Sequence, residues 1–158
     1  MMPAKYLGIC SIAAALGADQ ISKAAANAYG EVLADGIPVI PGFNLIFLRN
    51  DGVTFGMLGN VPWWALSALA LGIVIWLAAL LVQAETRLEA AAYGAIIGGA
   101  LGNVADRLRY GAVTDFLDVY VGTWHWPAFN LADVAVVGGV GLVLLSEFLL
   151  SRRKRLRG

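Results

Sequence analysis

Pro127-Ala128-Phe129-Asn130-Leu131-Ala132-Asp133 runs directly into an apolar stretch that ends at Leu150. The apolar part, from Phe129, is long enough to cross a bilayer as a helix of about 20 residues. An amide and a carboxylate therefore stand at the mouth of a membrane span. Ionisable groups at membrane depth are costly and mark functional sites by default. A second acidic stretch, Val113-Thr114-Asp115-Phe116-Leu117-Asp118, lies a short way upstream.

Composition supports a membrane setting. The 158 residues are 59% hydrophobic and 14% charged, with a mean hydropathy of +0.74. A soluble domain has roughly 25% charged residues. The length fits one domain, residues 1–158. A formal net charge of +0, with no basic patch interleaved with aromatics, argues against a nucleic-acid partner. The single cysteine, Cys10, has no companion for an intramolecular disulfide or a metal site and reads as a small packing residue.

Outward from the opening stretch, three more spans are expected. Trp63-Trp64 reads as an interfacial anchor ahead of an unbroken apolar run, with Pro62 suited to the first turn, giving a span at about 62–82. Gln83 to Glu89 reads as a polar hairpin. Gly94, Gly98, Gly99 and Gly102 allow close helix approach in a span at about 90–106. Tyr6 to Ala28 is long enough for another; a cleaved signal would end near Ala13-Ala14-Ala15, but the segment continues past Asp19 and Gln20 into Ala24-Ala25-Ala26. With 129–150 this makes four. The segments at about 29–61 and 107–128 form outer loops. In the first, Phe43 to Arg49 is β-prone and Asn50-Asp51-Gly52 is a turn signal, so a short strand pair outside the lipid is expected. The expected fold is an all-α membrane protein of four transmembrane helices with a small extracytoplasmic β-strand cradle. Seven basic residues (Lys5, Arg87 and five in the tail) fall on one side against four (Lys23, Arg49, Arg107, Arg109) on the other. The positive-inside rule then puts both termini in the cytoplasm.

With that topology the polar residues converge on the outer face. Asp19 ends the first span, Asn103, Asp106 and Arg107 end the third, and Asn130 and Asp133 open the fourth. Asp115 lies in the loop between the last two. His125, the only histidine, has no ligand partners at metal spacing, and no phosphate loop is present. Ser11, Ser22 and Ser67 lack a matching base. No cofactor or metal is called for, and carboxylate chemistry remains. Two carboxyls in a poorly solvated pocket share a proton, one taking a proton from water while the other polarises a carbonyl. From the residues alone, Asp115 and Asp133 are such a pair, a proton relay or a buried ion pair. Asp106 is expected to pair with Arg107, Arg109 or a backbone group. Asp118 is expected to form a salt bridge or a cap before it is catalytic. Repeated halves and midplane carboxylates, which a proton-coupled transporter would show, are not evident.

Five stretches carry a resemblance. Asp19-Gln20-Ile21-Ser22-Lys23, Asn50-Asp51-Gly52-Val53-Thr54-Phe55, Gly98-Gly99-Ala100-Leu101-Gly102-Asn103-Val104-Ala105-Asp106-Arg107, Val113 to Asp118 and Pro127 to Asp133 closely resemble the motifs of lipoprotein signal peptidase, or signal peptidase II. The resemblance spans nearly the whole chain. It departs mildly at Ser22, Val53-Thr54 and Gly56, and Asp51 adds a carboxylate beside Asn50. The resemblance implies an aspartic endopeptidase of the bacterial inner membrane whose catalytic pair matches Asp115 and Asp133. It implies that residues matching Asp19, Asn50, Gly52, Asn103, Arg107 and Asn130 line or orient the site. The implied substrate is a prolipoprotein bearing a diacylglyceryl group, cut just before its lipidated cysteine. Membrane lipid and globomycin-type inhibitors are the other implied partners. Phe55 to Gly59 is read as a mobile lid over the acyl chains.

Overall fold

The computed structural model describes residues 3–52 and 61–155. The expected lid, 55–59, lies outside the described residues. The chain runs α1 (Ala4–Ala28), α2 (Gly30–Leu33), β1 (Ile37–Ile40), β2 (Phe43–Asn50), α3 (Trp63–Val82), α4 (Arg87–Tyr110), β3 (Val113–Val121), β4 (Trp124–His125) and α5 (Leu131–Arg155).

Among the described residues, three helices are long and apolar enough to cross a membrane: α3, α4 and the Leu131–Arg152 part of α5. The outward faces of α3 and α5 are apolar, with Ile75, Trp76, Val137 and Leu144 all more than 60% exposed. An apolar surface of this extent needs an apolar solvent. The 25-residue α1 reaches roughly 37 Å at 1.5 Å per residue. It falls outside the apolar set because it carries Asp19 and Lys23 inward, both buried.

Helix α4 is the centre of the bundle and packs against α1, α3 and α5. Its glycines make this possible. A Cβ on Gly98 would stand 2.6 Å from the Ile12 carbonyl oxygen and 2.8 Å from Ala15 Cβ. Only a missing side chain lets the α1 backbone come so close. Helix α4 is longer than the expected 90–106 at both ends. It starts three residues earlier because Thr86 and Glu89 form a capping box: Thr86 Oγ1 accepts the Glu89 N–H at 3.1 Å, and Glu89 Oε2 accepts the Thr86 N–H at 3.2 Å. It stops at Gly111, whose φ of 71° is left-handed and whose N–H closes on the Arg107 carbonyl at 2.9 Å. The expected 83–89 hairpin is correspondingly shorter. Pro62 sits one position ahead of α3 rather than within its first turn, with φ −58° and ψ 141°.

The β layer is larger than a single strand pair. Four antiparallel strands lie in the order β1-β2-β3-β4. Strand β2 pairs backwards with β1 across the Pro41-Gly42 turn and forwards with β3, which comes from the other loop. The second segment, expected only as an outer loop, thus supplies half the sheet. The register places Leu48 opposite Asp115 and Asn44 opposite Asp118. Past the sheet, Phe129 makes an isolated bridge to Leu117. Its N–H donates to the Leu117 carbonyl at 3.1 Å, and its carbonyl accepts from Leu117 at 2.9 Å. That bridge brings the start of α5 beside Asp115.

Candidate active site

The first turn of α5 holds Asp133. The first N–H groups of a helix have no intrahelical acceptor, and Asn130 meets one of them. Its Oδ1 accepts the Asp133 N–H at 3.1 Å, while Asp133 Oδ2 accepts the Asn130 N–H at 3.2 Å. This is a reciprocal capping box written with Asn and Asp. The other oxygen of Asp133, Oδ1, accepts from Asn103 Nδ2 on α4 at 2.9 Å.

Asp115 lies on β3 and is 2% exposed. Its Oδ2 accepts from Asn50 Nδ2 at 2.9 Å, and its Oδ1 accepts from Asn130 Nδ2 at 2.7 Å. Asn50 is aimed by its own turn, since its Oδ1 accepts the Gly52 N–H at 3.1 Å. That leaves only its amide nitrogen to face Asp115. Burial pushes the Asp115 carboxyl up, to about 6. The hydrogen bond from Asn50 opposes the rise, the charge of Asp133 adds to it, and Asn130 and Lys23 oppose it in turn.

Both carboxyls line one cavity of about 100 Å³, together with Asn50, Gly52, Asn103, Arg107 and Val113. One water needs roughly 10–15 Å³, so the space admits water beside both acids. Arg107 Nη2 donates to the Gly52 carbonyl at 3.5 Å, tying the end of α4 to the turn after β2. Of the eight expected site residues, six (Asp115, Asp133, Asn50, Gly52, Asn103 and Arg107) line this cavity, and Asn130 bonds to both acids.

Asp19 stands off the cavity and acts from behind it. Fully buried, it accepts the Ala132 N–H at 2.9 Å and pairs with Lys23 at 3.0 Å. It holds the α5 N-terminus from behind, because a second orphan N–H of that helix needs an acceptor. Asp106 takes the backbone option among its expected partners: its Oδ2 accepts the Thr114 N–H at 2.8 Å. Its nearest cation is Lys23 at 3.8 Å, not an arginine. Asp118 is held within the sheet, accepting from Asn44 Nδ2 at 2.9 Å and facing His125 Nδ1 at 2.8 Å.

Lys23 is the residue that sequence reasoning overlooked. Counted there only as a charge on the outer side, it is 2% exposed. The available signal was the Asp19–Lys23 spacing of four, which puts opposite charges on one helix face.

A family model described as Signal peptidase (SPase) II matches residues 11–149. The chain belongs to the signal peptidase II family. It is 42% identical over 130 residues to a lipoprotein signal peptidase of Photorhabdus laumondii, covering 79% of this chain and 78% of that protein. It is 46% identical over 122 residues to a lipoprotein signal peptidase of Yersinia pestis, covering 74% and 72%. A bacterial membrane enzyme solved by the in meso method at 2.3 Å superposes with a TM-score of 0.82 at 26% identity, over 93% of this chain and 90% of that one. A second, solved at 1.9 Å, gives 0.74 at 25% identity, over 88% and 90%. This signal peptidase II is accordingly an aspartic peptidase with a mostly helical, multi-pass membrane fold.

Among the described residues, Asn130 is the one side chain hydrogen-bonded to both Asp115 and Asp133. Asn130→Asp keeps the size and the helix cap but replaces the donor to Asp115 with an acceptor. The variant is expected to remain folded and to lose on the order of 100-fold in peptidase activity. Activity assays paired with thermal melts in detergent check this; wild-type cleavage would show that the amide is dispensable.

Proposed function

We propose that Asp115 and Asp133 are the catalytic pair of a signal peptidase that removes the signal peptide from diacylglyceryl-modified bacterial prolipoproteins, cutting before the lipidated cysteine. One observation carries the reading: a single buried amide, Asn130, hydrogen-bonds to both carboxyl-bearing residues at the edge of one small cavity. The relatives' name, lipoprotein signal peptidase, supports the substrate class.

The reaction follows from the two environments. Asp115, pushed up to about 6, is the carboxyl that carries the shared proton. Asp133, whose two oxygens accept from Asn103 Nδ2 and the Asn130 N–H, is assigned the role of base. A water between them gives a proton to Asp133 as its oxygen attacks the scissile carbonyl carbon. Asp115 donates its proton to the carbonyl oxygen. Collapse of the tetrahedral intermediate returns a proton to Asp115 and delivers the one on Asp133 to the leaving amine of the lipidated cysteine. Water has then been split between the new carboxyl and the new amine, and the pair again holds one proton. Arg107, Asn103 and Asn50 orient the acids and the peptide.

An apolar groove of about 540 Å³ opens on Asp133, lined by Trp126, Phe129, Val134, Val137 and Gly138. It suits hydrocarbon from the substrate's lipid, which can stay in the bilayer while the peptide bond meets water. In this reading α1 is the fourth span, both termini are cytoplasmic and the site lies near the outer face of the inner membrane. The seven-to-four distribution of basic residues supports that orientation. Reporter fusions at Gly158 should read as cytoplasmic and insertions at Thr123 as external; the reverse pattern would place the acids in the wrong compartment.

Single-turnover cleavage of a diacylglyceryl-modified prolipoprotein tests the pair. Asp115→Asn and Asp133→Asn should each lose on the order of 10⁴-fold, and the double variant should be no worse, because residues acting as a unit are non-additive. Robust cleavage by either single variant would remove that residue from the mechanism. The pH dependence has a definite sign. The singly protonated pair exists below the upper value and is lost as pH rises through it. kcat/KM should therefore fall above about 6, the value to which Asp115 is raised. Substrate that covers the site adds desolvation, so the corresponding limb in kcat should lie at higher pH. A basic limb unchanged by Asp115→Glu would count against the assignment.

A further inference from the structure

Lys23 lies on α1 with its ammonium buried at the meeting point of α1 and α4. Its Nζ is 3.0 Å from Asp19 Oδ2, 2.7 Å from Asn103 Oδ1 and 3.8 Å from Asp106 Oδ2. An ammonium taken out of water is costly unless it is paired and hydrogen-bonded. It also has three donors and no acceptor, and that one-sidedness has a consequence for its neighbour. Asn103 must turn its carbonyl oxygen to Lys23, so its amide nitrogen points the other way, where Asp133 Oδ1 accepts it. The same Asn103 oxygen accepts from Asn130 Nδ2 at 3.2 Å, and that nitrogen also donates to Asp115 Oδ1. A second branch runs through Asp106, whose Oδ2 accepts the Thr114 N–H, the backbone immediately before Asp115.

We propose that Lys23 is a positioning residue for the catalytic pair: its ammonium fixes the facing of the Asn103 amide and anchors the Thr114 backbone through Asp106, and so sets the two carboxyls relative to each other. This rests on the reading of Asp115 and Asp133 as the reacting acids. Lys23 acts through Asn103 and Asp106 and leaves the cavity to the acids. Its charge also bears on the shared proton. The groups around Asp115 and Lys23 are Asp133 and Asn130 at the α5 end, Asn50 on β2 and Arg107 on α4 about the Asp115 carboxyl, and Asp19 on α1 and Asp106 on α4 about the Lys23 ammonium. Among them the positive charge of Lys23 lowers the Asp115 value, opposing burial and Asp133. Taking that charge away should raise it further.

The test uses the purified full chain, a synthetic diacylglyceryl-modified prolipoprotein peptide and steady-state kinetics across pH. Lys23→Met keeps the length and apolar stem but loses the charge. The expected result is a fall in kcat on the order of 100-fold, a KM changed by no more than about threefold, and a basic limb moved to higher pH. A merely structural role would lower the amount of folded enzyme and leave the pH profile of the remainder where it was. Lys23→Met leaves Asp19 and Asp106 without their cation, so Lys23→Met/Asp19→Asn, which restores the local charge, is run beside it. The charge-balanced variant should fold, keep the fall in kcat because the Asn103 amide is still unanchored, and show a smaller displacement of the limb. A wild-type kcat in either folded variant, an undisplaced limb in folded Lys23→Met, or unfolding of both would overturn the proposal. Asp115→Asn in the same assay separates the two levels. If it cleaves, the reading of the pair has failed. If it is dead while Lys23→Met behaves as wild type, only the role of Lys23 has failed.

Discussion

The first turn of α5 leaves backbone N–H groups without helical partners, and in this protein other side chains satisfy them. Asp19 of α1 accepts from Ala132, and Asn130 accepts from Asp133. The constraint propagates. With its oxygen on the Asp133 N–H, Asn130 has only its amide nitrogen left for Asp115. With its carboxylate buried against Ala132, Asp19 needs a cation, and Lys23 supplies it. Among the described residues no buried side-chain nitrogen or oxygen lacks a hydrogen-bond partner. A network this complete is stiff, because in a low dielectric every unmade bond is costly. Such stiffness is what a pair of acids needs if it is to hold water and carbonyl in a reactive geometry.

The bundle makes room for this network by omitting side chains. Gly98 lets α1 lie against α4, and a Cβ at Gly102 would collide with the Asp19 carboxylate. Without these close approaches the polar residues of α1, α4 and α5 would stand too far apart to share bonds. The sheet closes the end of the bundle at which these residues meet. Strand β3 brings Asp115 to the helix ends, and its bridge to Phe129 fixes the distance to Asn130. Acids at the ends of the helices, rather than at mid-depth, are reached by water while apolar faces remain in lipid.

Much of this was legible in the sequence, for identifiable reasons. The run from Trp63 to Val82 is apolar on every face, so its helix needs no periodicity to be recognised. Asn130 and Asp133 stood out because polar residues at the mouth of a span have few innocent explanations. Strand β3 was not legible. Thr114, Asp115, Phe116 and Asp118 are all buried, so the alternation of a half-exposed strand is missing and polar residues occupy interior positions. The start of α4 was misplaced although Thr86 and Glu89 spell a capping box, because the apolar run begins only at Ala90. Lys23 and the true place of Asp19 depend on contacts across some 80 and 113 residues of chain. The Asp19–Lys23 spacing of four shows only that the two can pair; it does not show what the pair meets.

The proposed pairing requires that the charge of Asp133 act on the buried Asp115 carboxyl. Infrared difference spectroscopy of the carboxyl C=O stretch, on purified protein titrated from pH 8 to pH 4, reads this directly. One protonated-carboxyl band is expected to grow in as pH falls through about 6, where burial places Asp115. Asp115→Asn should abolish that band, and Asp133→Asn should move its midpoint to lower pH, because the neighbouring negative charge that raises Asp115 is gone. A band that keeps its midpoint in Asp133→Asn would contradict the account, since the Asp115 carboxyl would then not feel Asp133.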